Sequence, residues 1–156
     1  MTAKTTANHF MDLARCHAEE AFRKGEVPVG AVIVKHGKVI ASGTNLVETN
    51  KNPIAHAEII AIQNAALYLD DKRLEGCELY VTLEPCAMCA QAIAHARIEK
   101  VYYGAFDPKG GGVDHGPQIY RHDTCHFKPE VYGGIQEKEC QKLLQDFFQK
   151  IRHNKK

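Results

Sequence analysis

Residues 54–69 place Ala, Ile or Leu on nearly every face of any helix they form, and residues 86–97 repeat the pattern with alanine. A helix without a polar face belongs inside a domain rather than on its surface. Two such helices require other layers to cover them, and the rest of the chain supplies those layers. Residues 27–34 are a nearly continuous apolar run rich in Val and Ile, the mark of a strand covered on both faces. His36-Gly37 separates that run from residues 39–41 and predicts a hairpin. Residues 79–83 and 101–103 read as further strands, and Val131-Tyr132 as a short fifth. Phe10, Leu13, Ala14, Ala18, Ala21 and Phe22 recur at three- and four-residue intervals, predicting an amphipathic helix over 10–22 that Lys24-Gly25 ends. Leu143, Leu144, Phe147, Phe148 and Ile151 form the apolar stripe of a terminal helix. Strands alternating with buried helices predict an α/β sandwich whose central sheet is covered on both faces.

The 156 residues show no repeat, low-complexity block or linker, so one domain over 1–156 is expected. Hydrophobic residues at 44% and charged residues at 25% exclude a wholly disordered chain. A formal charge of +1 argues against a broad non-specific grip on nucleic acid but permits a local basic patch. No apolar run approaches the ~18 residues of a membrane span, and the first ten residues lack the apolar stretch of a secretory signal. A cytoplasmic protein is therefore expected, its six cysteines being reduced thiols or metal ligands. Residues 107–129 form a Gly- and His-rich loop, long for a compact domain and so functional or partly mobile. Gly110-Gly111-Gly112 reads as flexible; it is not a phosphate-binding loop, because no Gly-Lys-Ser/Thr follows.

The chemistry-bearing residues open the two apolar helices. His56-Ala57-Glu58 stands near the start of one, Pro85-Cys86-Ala87-Met88-Cys89 at the start of the other. Cysteines three apart share a helix face and can clamp one ion, and a helix N-terminus favours the thiolate that binds zinc. One His and two Cys are three ligands, leaving a fourth tetrahedral position for water, the layout of a catalytic zinc site. His56 and Glu58, two residues apart, point to different sides of a regular helix, so both line one site only if that site lies off the helix end. Two bland readings compete. Cys-x-x-Cys alone suits a redox pair, but that leaves His56-Ala57-Glu58 without a role. Cys86, Cys89, His122 and His126 have the ligand types of a closed structural site, although 32 residues separate Cys89 from His122 where zinc fingers use about 12.

His-x-Glu followed by Pro-Cys-x-x-Cys is the signature of zinc nucleobase deaminases. The chain resembles the cytidine-deaminase-like superfamily and, within it, the bacterial tRNA-specific adenosine deaminases. The resemblance is carried by residues 25–32, 55–59, 80–89 and 104–107 and by the 143–148 ending with its paired phenylalanines. It implies a three-layer α/β/α sandwich with a mixed sheet of about five strands, one Zn²⁺ per subunit, and a homodimer. It implies that His56, Cys86 and Cys89 hold the metal and that Glu58 shuttles protons. Asn45, Val29, Ala57, Leu83, Asp107 and Phe148 correspond to substrate contacts; taken alone, Asn45 and Asp107 are turn residues and Val29 and Leu83 are core. The activity implied is deamination of adenosine to inosine at the wobble position of a tRNA anticodon loop. A deaminase of free guanine, cytosine or adenine, or of a nucleoside, would use the same zinc machinery, and a non-enzymatic zinc module is the remote alternative. Residues 110–129 depart from the pattern best known in enterobacterial members, which leaves substrate choice most open there. Lys150, Arg152, Lys155 and Lys156, beside Phe147 and Phe148, suit a single-stranded RNA loop or a solvated tail. Cys16, Cys77, Cys125 and Cys140 read as small buried hydrophobes or loop thiols.

Overall fold

Thr2 sets the first helix. In a computed structural model that describes residues 2–154, its hydroxyl accepts the backbone N–H of Thr5 at 3.2 Å, and α1 runs Ala3–Arg23. The helix therefore starts well before residue 10, because the N-cap and not the apolar stripe decides the first turn. A hairpin follows, with β1 at Gly30–Lys35 and β2 at Lys38–Thr44 turning through His36-Gly37. Residues 27–29, predicted as strand, are instead irregular backbone leading into β1. Next come α2 (Ala57–Leu69), β3 (Cys77–Leu83), α3 (Ala87–Ala96), β4 (Lys100–Ala105), a 3₁₀ turn (Ile119–Arg121), β5 (Glu130–Tyr132) and α4 (Glu137–Asn154).

The sheet has five strands in the order β2-β1-β3-β4-β5. β1 is antiparallel to β2 and β3, whereas β3, β4 and β5 are parallel, so the sheet is mixed. Side chains of β1 alternate between two cores. Ala31 and Ile33 pack with Ala57, Ala61, Ala90 and Ile93 of α2 and α3. Val32 and Val34 pack with Phe10, Met11 and Ala14 of α1 and with Cys140 of α4. This is the expected three-layer α/β/α sandwich. The long 107–129 segment has a topological reason, since parallel neighbours need a crossover of a dozen or more residues. Here that crossover is a strap with almost no helix of its own.

One prediction fails in part. α2 buries Ala57, Glu58, Ala61 and Ala65, but Leu67 is 81% exposed and Tyr68 59%. The helix covers one face of the β1–β2 hairpin and leaves apolar side chains on its other side, together with exposed Ile54 just before it. α3 fits the expectation better, with Cys89, Ala90, Ile93, Ala94 and Ala96 buried. No helix among the described residues is long and apolar enough to cross a membrane.

Candidate metal centre and active-site pocket

The predicted ligands converge because two helices begin at one place. His56 is the N-cap of α2 (φ −71°, ψ 154°) and Cys86 the N-cap of α3 (φ −70°, ψ 174°). N-cap residues keep extended angles, so their side chains project off the helix end. Cys89, in the first turn of α3, reaches the same point. His56 Nδ1 lies 3.6 Å from Cys86 Sγ and 3.5 Å from Cys89 Sγ. Tetrahedral zinc at ~2.05 Å from nitrogen and ~2.3 Å from sulfur sets ligand atoms about 3.6 Å apart. The triad thus fits zinc, with Nδ1 as the ligating imidazole atom. Among the described residues these three form the only such cluster, all ligand atoms within 4.8 Å of one another. His122 points elsewhere, its Nε2 donating to the Pro117 carbonyl at 2.6 Å, and neither His122 nor His126 joins the cluster. The closed four-ligand alternative is not what the chain builds.

Electrostatics follow from the convergence. The Cys89 thiol and then the His56 ring bring the Cys86 thiol down to about 4 against the opposing effect of burial. The hydrogen bond to Cys86, then burial, pushes Cys89 up. Hydrogen bonding to Cys86 raises His56 despite its burial. Burial drives the Glu58 carboxyl up to about 7. Glu58, in the first turn of α2, is buried and faces the same space.

That space is a cavity of about 720 Å³, within the ~300–1,000 Å³ of small-ligand pockets. It opens beyond the carboxyl ends of β3 and β4, where ligands sit in sheets of this kind. His56, Cys86 and Glu58 lie on its wall, and so do all six predicted substrate contacts: Val29, Asn45, Ala57, Leu83, Asp107 and Phe148. Asn45 also ties two segments, its Nδ2 donating to the Val27 carbonyl at 3.2 Å and its Oδ1 accepting from Val47 N–H at 3.4 Å. The paired phenylalanines divide their work, Phe147 being buried and Phe148 46% exposed at the rim.

Comparison with known proteins agrees with this geometry. Residues 4–105 match the cytidine and deoxycytidylate deaminase zinc-binding region. A tRNA-specific adenosine deaminase of Agrobacterium fabrum is 49% identical over 92% of this chain and 95% of its own. One from Bacillus subtilis is 46% identical over 94% and 91%. The chain belongs to the tRNA-specific adenosine deaminase family. A structure from biochemical and structural studies of A-to-I editing by tRNA:A34 deaminases at the wobble position of transfer RNA superposes on this deaminase with a TM-score of 0.86. It is 49% identical, covering 87% of this chain and 99% of that one.

Two pocket residues of the deaminase were not singled out by the sequence reading, Glu26 and Glu84, both buried acids. Glu26 accepts the backbone N–H groups of Glu48 (3.0 Å) and Thr49 (2.6 Å) and the Thr49 hydroxyl (2.5 Å), fixing the segment after Asn45. Glu84 gathers the strap. Its only sequence signal is an acid wedged between an apolar strand and the cysteine-bearing helix, a place where a free carboxylate would be costly. Gly110-Gly111-Gly112 is not a flexible run. A Cβ on Gly111 would overlap the Glu84 carboxylate and one on Gly112 the Ala87 backbone nitrogen, so Gly is needed for close approach. At the other side of the rim, Lys150 Nζ lies 5.5 Å over the Phe22 ring and Arg152 is exposed. Lys155 and Lys156 lie outside the described residues.

Proposed function

We propose that this protein deaminates adenosine to inosine at the wobble position of tRNA anticodon loops, releasing ammonia. The observation that carries the reading is the His56–Cys86–Cys89 cluster opening, with Glu58 beside it, into a cavity sized for a nucleotide. Family membership and the exposed Phe148 at the rim support it. His56, Cys86 and Cys89 would hold zinc, one ion per subunit. Zinc, when bound, supplies Lewis acidity that brings water's pKa from 15.7 to about 7. Glu58 takes the proton from the water that adds to C6 of adenine, passes it to the adjacent ring nitrogen, and delivers a proton to the departing amine. Its buried setting raises its carboxyl above the ordinary carboxylate range, which favours carrying a proton. Asn45 orients the base edge, Val29, Ala57 and Leu83 form apolar walls against the purine, and Asp107 and Phe148 meet the flanking nucleotides. The target base must leave its stack to enter, at a cost of at most a few kcal/mol in a single-stranded loop.

We further infer a homodimer acting in the cytoplasm. The open apolar side of α2 supports the first part, and six free cysteines, four of them buried, suit a reducing compartment. The decisive assay offers an anticodon stem-loop with a wobble adenosine beside a panel of free bases and nucleosides. Inosine in the stem-loop is the expected result. Ammonia release from a free base, with an inert stem-loop, would reassign the substrate.

A further inference from the structure

The strap between β4 and β5 is tied to the core by side chains that take no part in moving protons. Glu84, whose side chain is fully buried, accepts with Oε1 the backbone N–H of Asp107 at 3.0 Å and the Nδ1–H of His115 at 2.8 Å. Its Oε2 accepts the N–H groups of Asp114 (3.0 Å), His115 (3.1 Å) and Val113 (3.3 Å). A carboxylate only accepts, so Nδ1 of His115 carries the proton. The His115 ring, a third exposed, meets Phe106 edge-on, with centroids 6.1 Å apart. One buried carboxylate therefore links the pocket-wall residue Asp107 to a surface imidazole eight positions on. Two further ties, Tyr103 to Asp114 and Tyr120 to the Ala90 carbonyl, hold the far side of the strap.

We propose that Glu84 and His115 form a clasp that positions Asp107 and the strap at the pocket mouth, setting the enzyme's grip on the nucleotides that flank the target base. The proposal rests on the anticodon-loop reading above. The His115 side chain supplies one of five donors to Glu84, so its loss loosens the strap while four backbone N–H groups, His115's own among them, keep it folded. Glu58 and His56 sit on α2, outside the clasp, and keep their places.

The test is steady-state kinetics on an anticodon stem-loop with a wobble adenosine, with zinc content per chain measured alongside. His115→Ala is expected to raise KM about tenfold, the effect of one charge-assisted hydrogen bond, and to leave kcat within about twofold. Zinc content stays at the wild-type level. His115→Asn, whose amide N–H can stand where Nδ1–H stands, restores KM toward the wild-type value. An unchanged KM in His115→Ala overturns the clasp, as does a fall in kcat that tracks lost zinc, or an Asn variant no better than Ala. Wild-type protein inactive on the stem-loop overturns the parent reading and the clasp together. Wild-type turnover with an unaffected His115→Ala overturns the clasp alone.

Discussion

An N-cap side chain escapes the angular stepping of the helix behind it, and this frees His56 from opposing Glu58. Were both within regular helix, they would point to different sides; with His56 extended and Glu58 in the first turn, both reach one cavity. The distinction predicts separable losses. Glu58→Ala should retain one zinc per chain by metal analysis while turnover on a stem-loop falls ~10²–10⁴-fold, the usual range for a general acid–base. Cys86→Ala should lose the metal along with the activity. The candidate ligand types were legible from residue identity and spacing, since thiol and imidazole chemistry travels with the side chain. The N-cap geometry was not, because it depends on where each helix starts.

Helices and strands were read well where an apolar period repeats over several residues and poorly at their ends, where capping decides. α1 begins at Ala3 because Thr2 caps it, which no hydrophobic period reports. The strap was legible as a long loop but not as a crossover, because strand direction is a property of the sheet. Its glycines looked like flexibility and prove to be close packing. At this scale Glu26 yields a pH prediction. Burial pushes its carboxyl up, but hydrogen bonds from the Thr49 hydroxyl and the Glu48 and Thr49 N–H groups outweigh that and hold it below its ordinary 4.5. A carboxylate lowered in the folded state stabilises fully above 4.5 and loses that contribution as pH falls through its folded value. Glu26→Gln should therefore cost about 1–3 kcal/mol at pH 7 in urea melts and flatten the acid limb of stability below pH 4.5.

For the whole molecule, α2 carries the main discrepancy. Its all-round apolar sequence promised burial, yet within one chain Leu67 and Tyr68 face outward. The proposed homodimer would cover these exposed apolar side chains with a second copy, as interaction surfaces do. Leu67→Glu should shift the species seen in light scattering from twice the chain mass to a single chain, with zinc content retained. A wild-type protein that is monomeric at micromolar concentration would remove the dimer.

The sequence by itself determined the α/β class, the number of strands and which residues could serve as metal ligands, because local periodicity and side-chain chemistry are properties of short segments. Tertiary structure alone decided that two helix N-termini meet with Nδ1 and sulfur 3.5–3.6 Å apart, and that buried Glu84 gathers a strap contributed from beyond β4. It also decided which side of α2 stays open. Each of these joins residues distant in the chain, and such contacts exist only once the sheet has set the helices around it.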